Sequence, residues 1–341
     1  MTTDVKRLTL RSLFLSSAAA LLAACGGSQP PISTIPSQSR TSTMHAYRGG
    51  SWMLPEAKKI KELLYVNDAH DGQVYVFNYK TNGLVGTLAG FDYPTAQCVD
   101  AAGDIYITNF DGWNVVEYAH GGVTPIKTLD TDGFANGCSI DPTTGNLAVA
   151  TFDSASGGGN IEVWKNAAGS PTNYFSPNTY NLWPPGYDNK GNLFVEGQCS
   201  RGCVDELPAG GPALIAVSIH HVIDSPGTVM WDGKYITFAD QGGHKTRLYQ
   251  VVETRSGELG VVGITVLTDT CKGKSADVGQ PFVVGKRNTP QDKDQGSTVI
   301  GNNPDCSGRF DFWAYPAGGQ PSKKLPPVTN VSEGESVSIR R

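Results

Sequence analysis

Carboxylate and amide side chains recur in this sequence where short apolar runs end, at Asp68, Asn109, Asp153, Asp240 and Asn302. Several such oxygens, brought together, could hold Ca²⁺ or another hard cation. Alternatively, each Asp or Asn starts the turn that follows it by accepting hydrogen bonds from nearby backbone N–H groups. The residues alone leave both interpretations open, and we favour the turn interpretation.

Two histidines, His70 and His244, lie in segments that connect predicted strands. Imidazole can serve as a metal ligand or as a general base near neutral pH, so both are candidate site residues. The alternative is that both are exposed loop histidines. A third histidine, His120, precedes a Gly-Gly turn and is expected to be solvated.

Aromatic residues are concentrated in or near the same connecting segments, at Phe91, Tyr93, Phe110, Trp113, Phe152, Tyr180, Trp183 and Tyr187. Exposed rings of this kind could form the floor of a shallow site for a glycan or a peptide. The competing interpretation is that some of them pack between sheets.

Common catalytic motifs are absent from the sequence: there is no P-loop, no dinucleotide-binding glycine pattern, no His-Glu-x-x-His and no Gly-x-Ser-x-Gly. The sequence therefore predicts no cofactor and no metal, and it names no catalytic residue. The candidate ligand-binding residues are Asp68, His70, Asn109, Trp113, Asp153, Asp240 and His244.

Residues 1–24 have the pattern of a signal peptide, with positive residues before an apolar stretch over 13–22. That stretch is shorter than the ~20 residues of a membrane span. It ends in Ala23-Ala24-Cys25, which resembles a bacterial lipobox and implies lipidation of Cys25. The alternative is an ordinary secretory signal with a chance cysteine. No Asp follows Cys25, and the resemblance to Gram-negative lipoproteins therefore implies the outer membrane rather than retention in the inner membrane.

Residues 25–61 are rich in Ser, Thr, Pro, Gln and Gly and are expected to form a tether after the lipidated cysteine. Within this segment, Trp52, Met53 and Leu54 are expected to pack on the edge of the domain. The predicted domain covers residues 62–341.

Six cysteines remain after Cys25, and an even number in an exported protein favours disulfides, with 15 possible pairings. Cys199 and Cys203 flank a short loop between antiparallel strands and are predicted to be bonded. Placement in neighbouring repeats also pairs Cys98 with Cys138 and Cys271 with Cys306. Zinc is the competing interpretation, but it lacks a second close pair.

The composition limits the class of protein. The sequence is 39% hydrophobic, which excludes wholesale disorder, and its net charge of -5 argues against a nucleic-acid partner. The 41 Gly and 21 Pro residues are typical of a chain with many turns.

A repeated unit runs through the chain, with hairpin glycines at 103, 145, 191 and 233. Each unit contains a short strand, a turn of the Asp-x-x-Gly type, an apolar strand, a Gly-rich loop, an alternating strand and an edge strand. Four strands in a period of forty-odd residues predict an all-β fold made of propeller blades. A β-sandwich with coincidental turns is the alternative.

The ends of the repeat array are complementary. Residues 63–66 match the second strand of the unit, so the first blade lacks its innermost strand, whereas Ser336–Ile339 resembles an innermost strand without a blade. We therefore expect a six-bladed β-propeller closed by this C-terminal strand, with no open edge.

Residues 94–118, PTAQCVDAAGDIYITNFDGWNVVEY, resemble an NHL repeat. The whole domain is similar to six-bladed propellers of the NHL, gluconolactonase-like and TolB-like group. Gluconolactonase-like propellers hold a metal with Glu, Asn and Asp side chains around the axis. Here Thr151, Gly197 and Ala239 occupy the slots of Asp68 and Asn109 in other repeats, and no axial Glu is matched.

The function is expected to lie on the loop face, which we define as the face carrying the loops after the second strands: 67–73, 109–113, 152–159, 197–203, 239–247 and 302–308. The opposite turn face carries tight, repeated turns that serve the scaffold, whereas variable loops carry binding groups.

The sequence thus favours a membrane-anchored envelope propeller that binds a glycan, a peptide or an envelope protein. The alternatives are a metal-dependent lactone or ester hydrolase and a purely structural envelope component. The expected partners are the lipid bilayer, through the N-terminal lipid, and an unknown protein or glycan.

Overall fold

A computed structural model describes residues 50–153, 158–177, 179, 181–199, 203–243, 245–255, 257–271, 274–276, 279–285, 296–303, 308–325 and 334–340. The predicted signal peptide, Cys25 and most of the predicted tether lie outside these ranges. No helix among the described residues is long and apolar enough to cross a membrane. Apart from short 3₁₀ turns at Ala57–Lys59 and Lys165–Ala167, the regular structure described is all strand.

The first sheet contains strands from both ends of the domain. Its strands are Trp52–Met53 (β1), Glu62–Asp68 (β2), Gln73–Asn78 (β3), Leu84–Ala89 (β4) and Glu335–Ile339 (β27), hydrogen-bonded in the order β1-β4-β3-β2-β27. The short β1 pairs with β4, so Trp52 and Met53 lie on the edge of the domain as expected.

The second and third sheets are antiparallel and follow the chain. The second consists of Pro94–Val99 (β5), Ile105–Asn109 (β6), Asn114–Tyr118 (β7) and Pro125–Asp130 (β8). The third consists of Phe134–Ile140 (β9), Leu147–Phe152 (β10), Asn160–Trp164 (β11) and Thr172–Phe175 (β12).

An eight-stranded sheet comes next and has two antiparallel halves. The first half is Gly186–Tyr187 (β13), Leu193–Gly197 (β14), Cys203–Leu207 (β15) and Ile215–Ile219 (β16). The second is Pro226–Trp231 (β17), Ile236–Asp240 (β18), Thr246–Arg255 (β19) and Glu258–Leu267 (β20). A short parallel pairing of β16 with β20 joins the halves.

A small hairpin precedes the last sheet. The hairpin pairs Asp269–Cys271 (β21) with Lys274–Ala276 (β22). The last sheet consists of Gly279–Val284 (β23), Thr298–Asn303 (β24), Arg309–Ala314 (β25) and Lys323–Lys324 (β26).

The innermost strands contact one another in turn, from β27 through β5, β9, β13, β17 and β23 back to β27. Between successive sheets lie separate hydrophobic clusters, such as the one between the first and second sheets that includes Tyr65, Leu88 and Ile107. Sheets that pack face to face around a common centre are the arrangement of a β-propeller. The predicted all-β propeller class is therefore confirmed.

The repeated turns owe their shape to an aspartate and a glycine. Asp188 Oδ1 accepts the backbone N–H groups of Lys190 at 2.8 Å and Asn192 at 2.9 Å, and Asp232 Oδ1 likewise accepts two N–H groups. The hairpin glycines adopt left-handed backbone with φ of 94°, 75°, 89° and 98°, in chain order, where a Cβ would be strained.

The C-terminal strand closes the first sheet, as predicted. In β27, Ser336 lies opposite Tyr65 and Ser338 lies opposite Leu63. The expectation that His120 is solvated was wrong, since its ring is partly buried against this strand. His120 Nδ1 lies 2.6 Å from Ser338 Oγ, and desolvation lowers the pKa of the imidazole.

Two of the predicted disulfides are present. Cys98 in β5 and Cys138 in β9 join two innermost strands, with their Cα atoms 5.6 Å apart. Cys199 and Cys203 close the loop between β14 and β15, with Cα atoms 5.8 Å apart. Both Cα distances are in the usual range for disulfides. Cys306 of the third predicted pair lies outside the described residues.

A buried ionic cluster ties the β21–β22 hairpin to the last sheet. The Arg309 guanidinium lies 2.5 Å from Asp269 and 2.6 Å from Asp311, and both carboxylates have no exposed side-chain surface. Lys324 Nζ lies 2.7 Å from Asp269, and Asn303 Nδ2 donates to the same carboxylate at 2.5 Å. Two carboxylates are thereby compensated by two cations.

Candidate functional site

The predicted polar site residues at strand ends accept hydrogen bonds from nearby backbone N–H groups. Asp68, 1% exposed, accepts the N–H of Asp71 on Oδ1 at 3.0 Å. Asn109 Oδ1 accepts the N–H of Asp92 at 2.6 Å, and this bond connects the end of β6 to the segment before β5. These contacts are those of the turn interpretation.

Asp240 makes the same kind of contact more extensively. Its Oδ1 accepts the backbone N–H groups of Asp224 at 3.2 Å, Ser225 at 3.0 Å and Gly242 at 3.1 Å. Its Oδ2 lies 3.8 Å from Arg247 Nη1. These three hydrogen bonds and the nearby cation stabilise the loops on either side of Asp240.

The remaining predicted site residues do not converge on one centre. His70 is largely exposed and lies 2.9 Å from the carboxylate of the adjacent Asp71. Asp153 is exposed after β10, and Asn302 is buried within β24. His244 lies outside the described residues. Within the described part of the chain, no group of three or more His, Cys, Asp or Glu side chains could hold a metal ion.

The structure instead brings aromatic rings together on the loop face. We call them the aromatic surface, and its members are Tyr93, Phe110, Trp113, Phe134, Phe152 and Trp183. Phe110 stacks on Phe134 with centroids 4.9 Å apart and meets Phe152 edge-on at 5.7 Å. Trp113 meets Phe134 edge-on at 5.1 Å.

Two further contacts complete the aromatic surface. Tyr93 lies 6.0 Å from Phe110, and Trp183 lies 5.1 Å from Phe152. The rings therefore run without a break from the second sheet across the third to the segment that precedes β13. Tyr93 and Trp113 are 36% and 37% exposed, and the other four rings are partly buried.

Other aromatic residues predicted for this face have structural roles. Phe91 packs on Tyr118 with centroids 6.2 Å apart, beside the core between the first two sheets. Tyr187 is 4% exposed and belongs to the core between the third sheet and the eight-stranded sheet. Tyr180 lies outside the described residues.

Left-handed backbone positions several loops of this site. Tyr93, Trp113 and Asp153 have φ of 59°, 51° and 41°, values that residues other than glycine adopt at a cost. Such strain tends to occur where function requires a side chain in a particular place. At Tyr93 and Trp113 this backbone conformation positions the two most exposed rings of the aromatic surface.

A short segment, residues 131–133, connects the loop of Trp113 to the start of β9 at Phe134. The Thr131 N–H donates to the Trp113 carbonyl at 2.9 Å, and the Thr131 hydroxyl donates to the Gly133 carbonyl at 2.7 Å. The Asp132 N–H donates to Glu162 Oε1 at 2.7 Å. Glu162 is fully buried in β11, and burial raises the pKa of its carboxyl to about 7.

Replacing Glu162 by Gln should change how stability depends on pH. The wild-type carboxyl has a pKa of about 7 when folded, above its ordinary 4.5, so ionisation should cost stability as the pH rises between these values. We expect Glu162→Gln to be more stable than wild type by about 1–2 kcal/mol at pH 8. At pH 4.5 this advantage should be absent.

Urea unfolding at both pH values measures the difference. The exposed Glu253→Gln serves as the matched control and should leave the difference between the two pH values near that of wild type. An advantage of Glu162→Gln that is equal at pH 4.5 and pH 8 would contradict the assignment.

Acidic residues flank the aromatic surface along the chain. Asp92 precedes Tyr93, Asp111 follows Phe110, Asp132 lies two residues before Phe134 and Asp153 follows Phe152. Between residues 91 and 164 the only basic residue other than histidine is Lys127, which lies 2.9 Å from Glu117. Asp92, Asp111, Asp132 and Asp153 therefore adjoin the rings in the chain, and we call these four residues the anionic rim.

Sequence reasoning missed Phe134 and Glu162. Phe134 is the ring on which Phe110 and Trp113 both pack, but it stands at the start of β9, where only apolar character is expected. The strand register could have identified Phe134, because it pairs with Phe152 across β9 and β10.

Comparisons with known proteins identify the fold alone. No protein-family model and no curated protein matches the chain. A chain in a crystal structure of a nidogen/laminin complex is similar with a TM-score of 0.61 and 12% identity, covering 82% of this chain and 99% of that one.

Two further solved structures show the same likeness. A protein of unknown function from Bacteroides caccae has a TM-score of 0.56 and 14% identity, covering 82% of this chain and all of that one. A catalytically inactive virginiamycin B lyase from Staphylococcus aureus, with quinupristin, has a TM-score of 0.50 and 12% identity, with coverages of 82% and 88%. At these identities the similarity shows only that the fold is a β-propeller.

Proposed function

We propose that this protein is a β-propeller interaction module whose loop face binds a protein or peptide through the aromatic surface. The observation that carries the proposal is the unbroken run of six contacting rings, two of them more than one-third exposed. Exposed apolar patches tend to mark interaction sites, and Trp and Tyr dominate the energetics of protein interfaces.

The anionic rim supports a partner with basic side chains. Lys or Arg groups of such a partner would meet Asp92, Asp111 or Asp153 and could also lie over the faces of the rings. Opposite charges would raise the association rate and select against acidic partners. The propeller in the nidogen/laminin complex supports a role in protein interaction by analogy of fold.

We propose that the propeller has six blades, with the eight-stranded sheet forming two of them. A hydrophobic cluster lies between the two halves of that sheet, with Val204 and Val217 from one and Phe238 and Val251 from the other. Because the halves pack through their faces, the parallel β16–β20 contact joins the edges of two blades.

The anchored envelope location is also a proposal. It is supported by the lipobox-like sequence before Cys25 and by the two disulfides, which are typical of exported proteins. No specific observation in the described residues favours the hydrolase alternative.

Photo-crosslinking at the aromatic surface tests the interaction function. A benzophenone amino acid is placed at position 113 of the full-length protein in the cells that produce it. We expect a discrete crosslinked species that protease digests. Trp113→Asn, which suits left-handed backbone, should weaken binding to the captured partner by about 2 kcal/mol or more without unfolding the propeller.

Position 126 supplies the control, because Ile126 is 50% exposed on the outer strand β8, next to Pro125, which pairs with Tyr118 at the end of β7 remote from the loop face. The same crosslinker there should give no such species. Absence of any adduct at position 113 would refute the proposal. An adduct that resists protease and is cleaved by lysozyme would show a glycan partner instead.

A further inference from the structure

The innermost strands surround a cavity on the propeller axis. Its volume is about 100 Å³, and strands β5, β9, β13, β17, β23 and β27 all contribute to its wall. Such a volume accommodates several water molecules or a small organic ligand. The cavity is distinct from the aromatic surface, since none of the six rings lines it.

Buried polar atoms on this wall have no hydrogen-bond partner within the described part of the chain. Glu335 is 4% exposed, and neither of its carboxylate oxygens is bonded. The hydroxyl oxygens of Thr228 and Ser336 and Oε1 of Gln97 are likewise unbonded. Buried polar groups are ordinarily hydrogen-bonded, and an isolated buried carboxylate is costly.

Three of these groups lie on contacting strands. Gln97 belongs to β5, while Glu335 and Ser336 begin β27, and these two strands contact each other. The Gln97 Nε2 donates to Asn67 Oδ1, which leaves Oε1 as the unbonded atom of that amide. Because successive side chains of a strand alternate, Glu335 lies on the face of β27 that Val337 presents to the last sheet, whereas Ser336 lies on the opposite face, toward the second sheet and Gln97. The carboxylate therefore offers its acceptors on one side of β27, and the amide oxygen and the hydroxyl offer theirs on the other.

The rest of the wall is largely apolar. It includes Val99, Ile140, Tyr187, Val229, Met230 and Phe282. A ligand that fits both parts carries a hydrogen-bond donor at one end and an apolar body at the other.

We propose that this axial cavity binds a small organic cation, with a primary ammonium group bonded to Glu335 and an apolar body packed against the remaining wall. An ammonium supplies N–H donors and one positive charge, which match a buried carboxylate whose two oxygens are both unbonded. A divalent metal fits less well, because Glu335 belongs to no group of three metal-ligating side chains among the described residues.

The burial of Glu335 agrees with this assignment. Desolvation raises the pKa of Glu335 well above its usual range, so without a counter-charge the neutral acid is favoured. A bound ammonium supplies the missing counter-charge and favours the carboxylate. The inference goes beyond the interaction function and does not depend on it.

Methyl NMR of the full mature chain tests the proposal, with 2-phenylethylammonium as the probe and 2-phenylethanol as its neutral analogue. The protein is labelled at the methionine methyl groups, because Met230 lines the cavity and Met53 lies on the outer strand β1. We expect the ammonium compound to shift the Met230 signal and not the Met53 signal. The alcohol should bind at least about tenfold more weakly.

Glu335→Gln should weaken binding of the ammonium compound by at least about tenfold and leave the alcohol's affinity unchanged. Glu206→Gln is the matched control, since Glu206 is a buried acid of β15 that does not line the cavity, and it should bind as wild type. The comparison of amine with alcohol on wild type remains decisive even if Glu335→Gln fails to fold.

Several outcomes would overturn the proposal. These are no Met230 shift at millimolar 2-phenylethylammonium, equal affinity for the amine and the alcohol, or wild-type affinity in folded Glu335→Gln. Stoichiometric binding of Ca²⁺ that shifts Met230 and excludes the amine would assign the cavity to a metal instead.

Discussion

A chain that ends at residue 332 should aggregate or lose most of its stability. The truncation removes β27, which pairs with β2 from Glu62 to Val66. It also removes Val337, which is fully buried in the core between the first and last sheets. The exposed edge of β2 invites association with other chains. We expect a loss of about 5 kcal/mol or more, which corresponds to a fall of roughly 10–20 °C in melting temperature.

Size-exclusion chromatography with light scattering and differential scanning calorimetry measure this outcome. Arg340→Ala is the control, because Arg340 follows β27 and has an exposed side chain. It should remain monomeric and melt like wild type. A truncated chain that did the same would show that the ring is closed elsewhere.

Replacing Arg309 by Met should be the most damaging single substitution in the ionic cluster. It would leave the carboxylate of Asp311 buried without its cation and reduce the compensation of Asp269 to Lys324. Breaking a buried ion pair by removing one partner costs about 3–5 kcal/mol. Burial already raises the pKa of Asp311 to about 6 in the presence of the guanidinium.

The effect should depend on pH in a defined direction. Without Arg309 the folded-state pKa of Asp311 rises further, so the protonated acid becomes the favoured form. The stability difference from wild type should therefore be smaller at pH 5 than at pH 8.

The control for this substitution is Arg255→Met, which removes an exposed ion pair with Glu258. Exposed pairs contribute about 1 kcal/mol or less. Equal losses for Arg309→Met and Arg255→Met in denaturant titrations would show that the cluster adds nothing through burial.

The repeat made most of the architecture predictable. Hairpin glycines at regular spacing marked the turns, and the structure places Gly103, Gly145, Gly191 and Gly233 in left-handed backbone there. The disulfide between Cys98 and Cys138 followed from neighbouring placement in the repeat. Local turn chemistry and strand periodicity carry this information because they depend on residues close together in the chain.

The candidate site was only partly predictable. Trp113 and Phe110 were expected on the loop face, but their packing on Phe134 depends on how the second and third sheets meet. Glu335 was not recognised, because its position on the axis follows from which strand completes the first sheet. Such contacts join residues far apart in the chain, where neither periodicity nor motif spacing supplies a signal.

The pairing of β2 with β27 also sets an order of events during synthesis. These strands are separated by nearly the whole length of the domain, so β2 is made long before its partner. Sheets formed from consecutive strands can assemble as soon as those strands are present, but the first sheet must wait for Glu335–Ile339. Closure over so long a loop is slow, and the edge of β2 stays unpaired until β27 has been made and has docked. Chaperone demand should therefore be greatest before β27 pairs with β2.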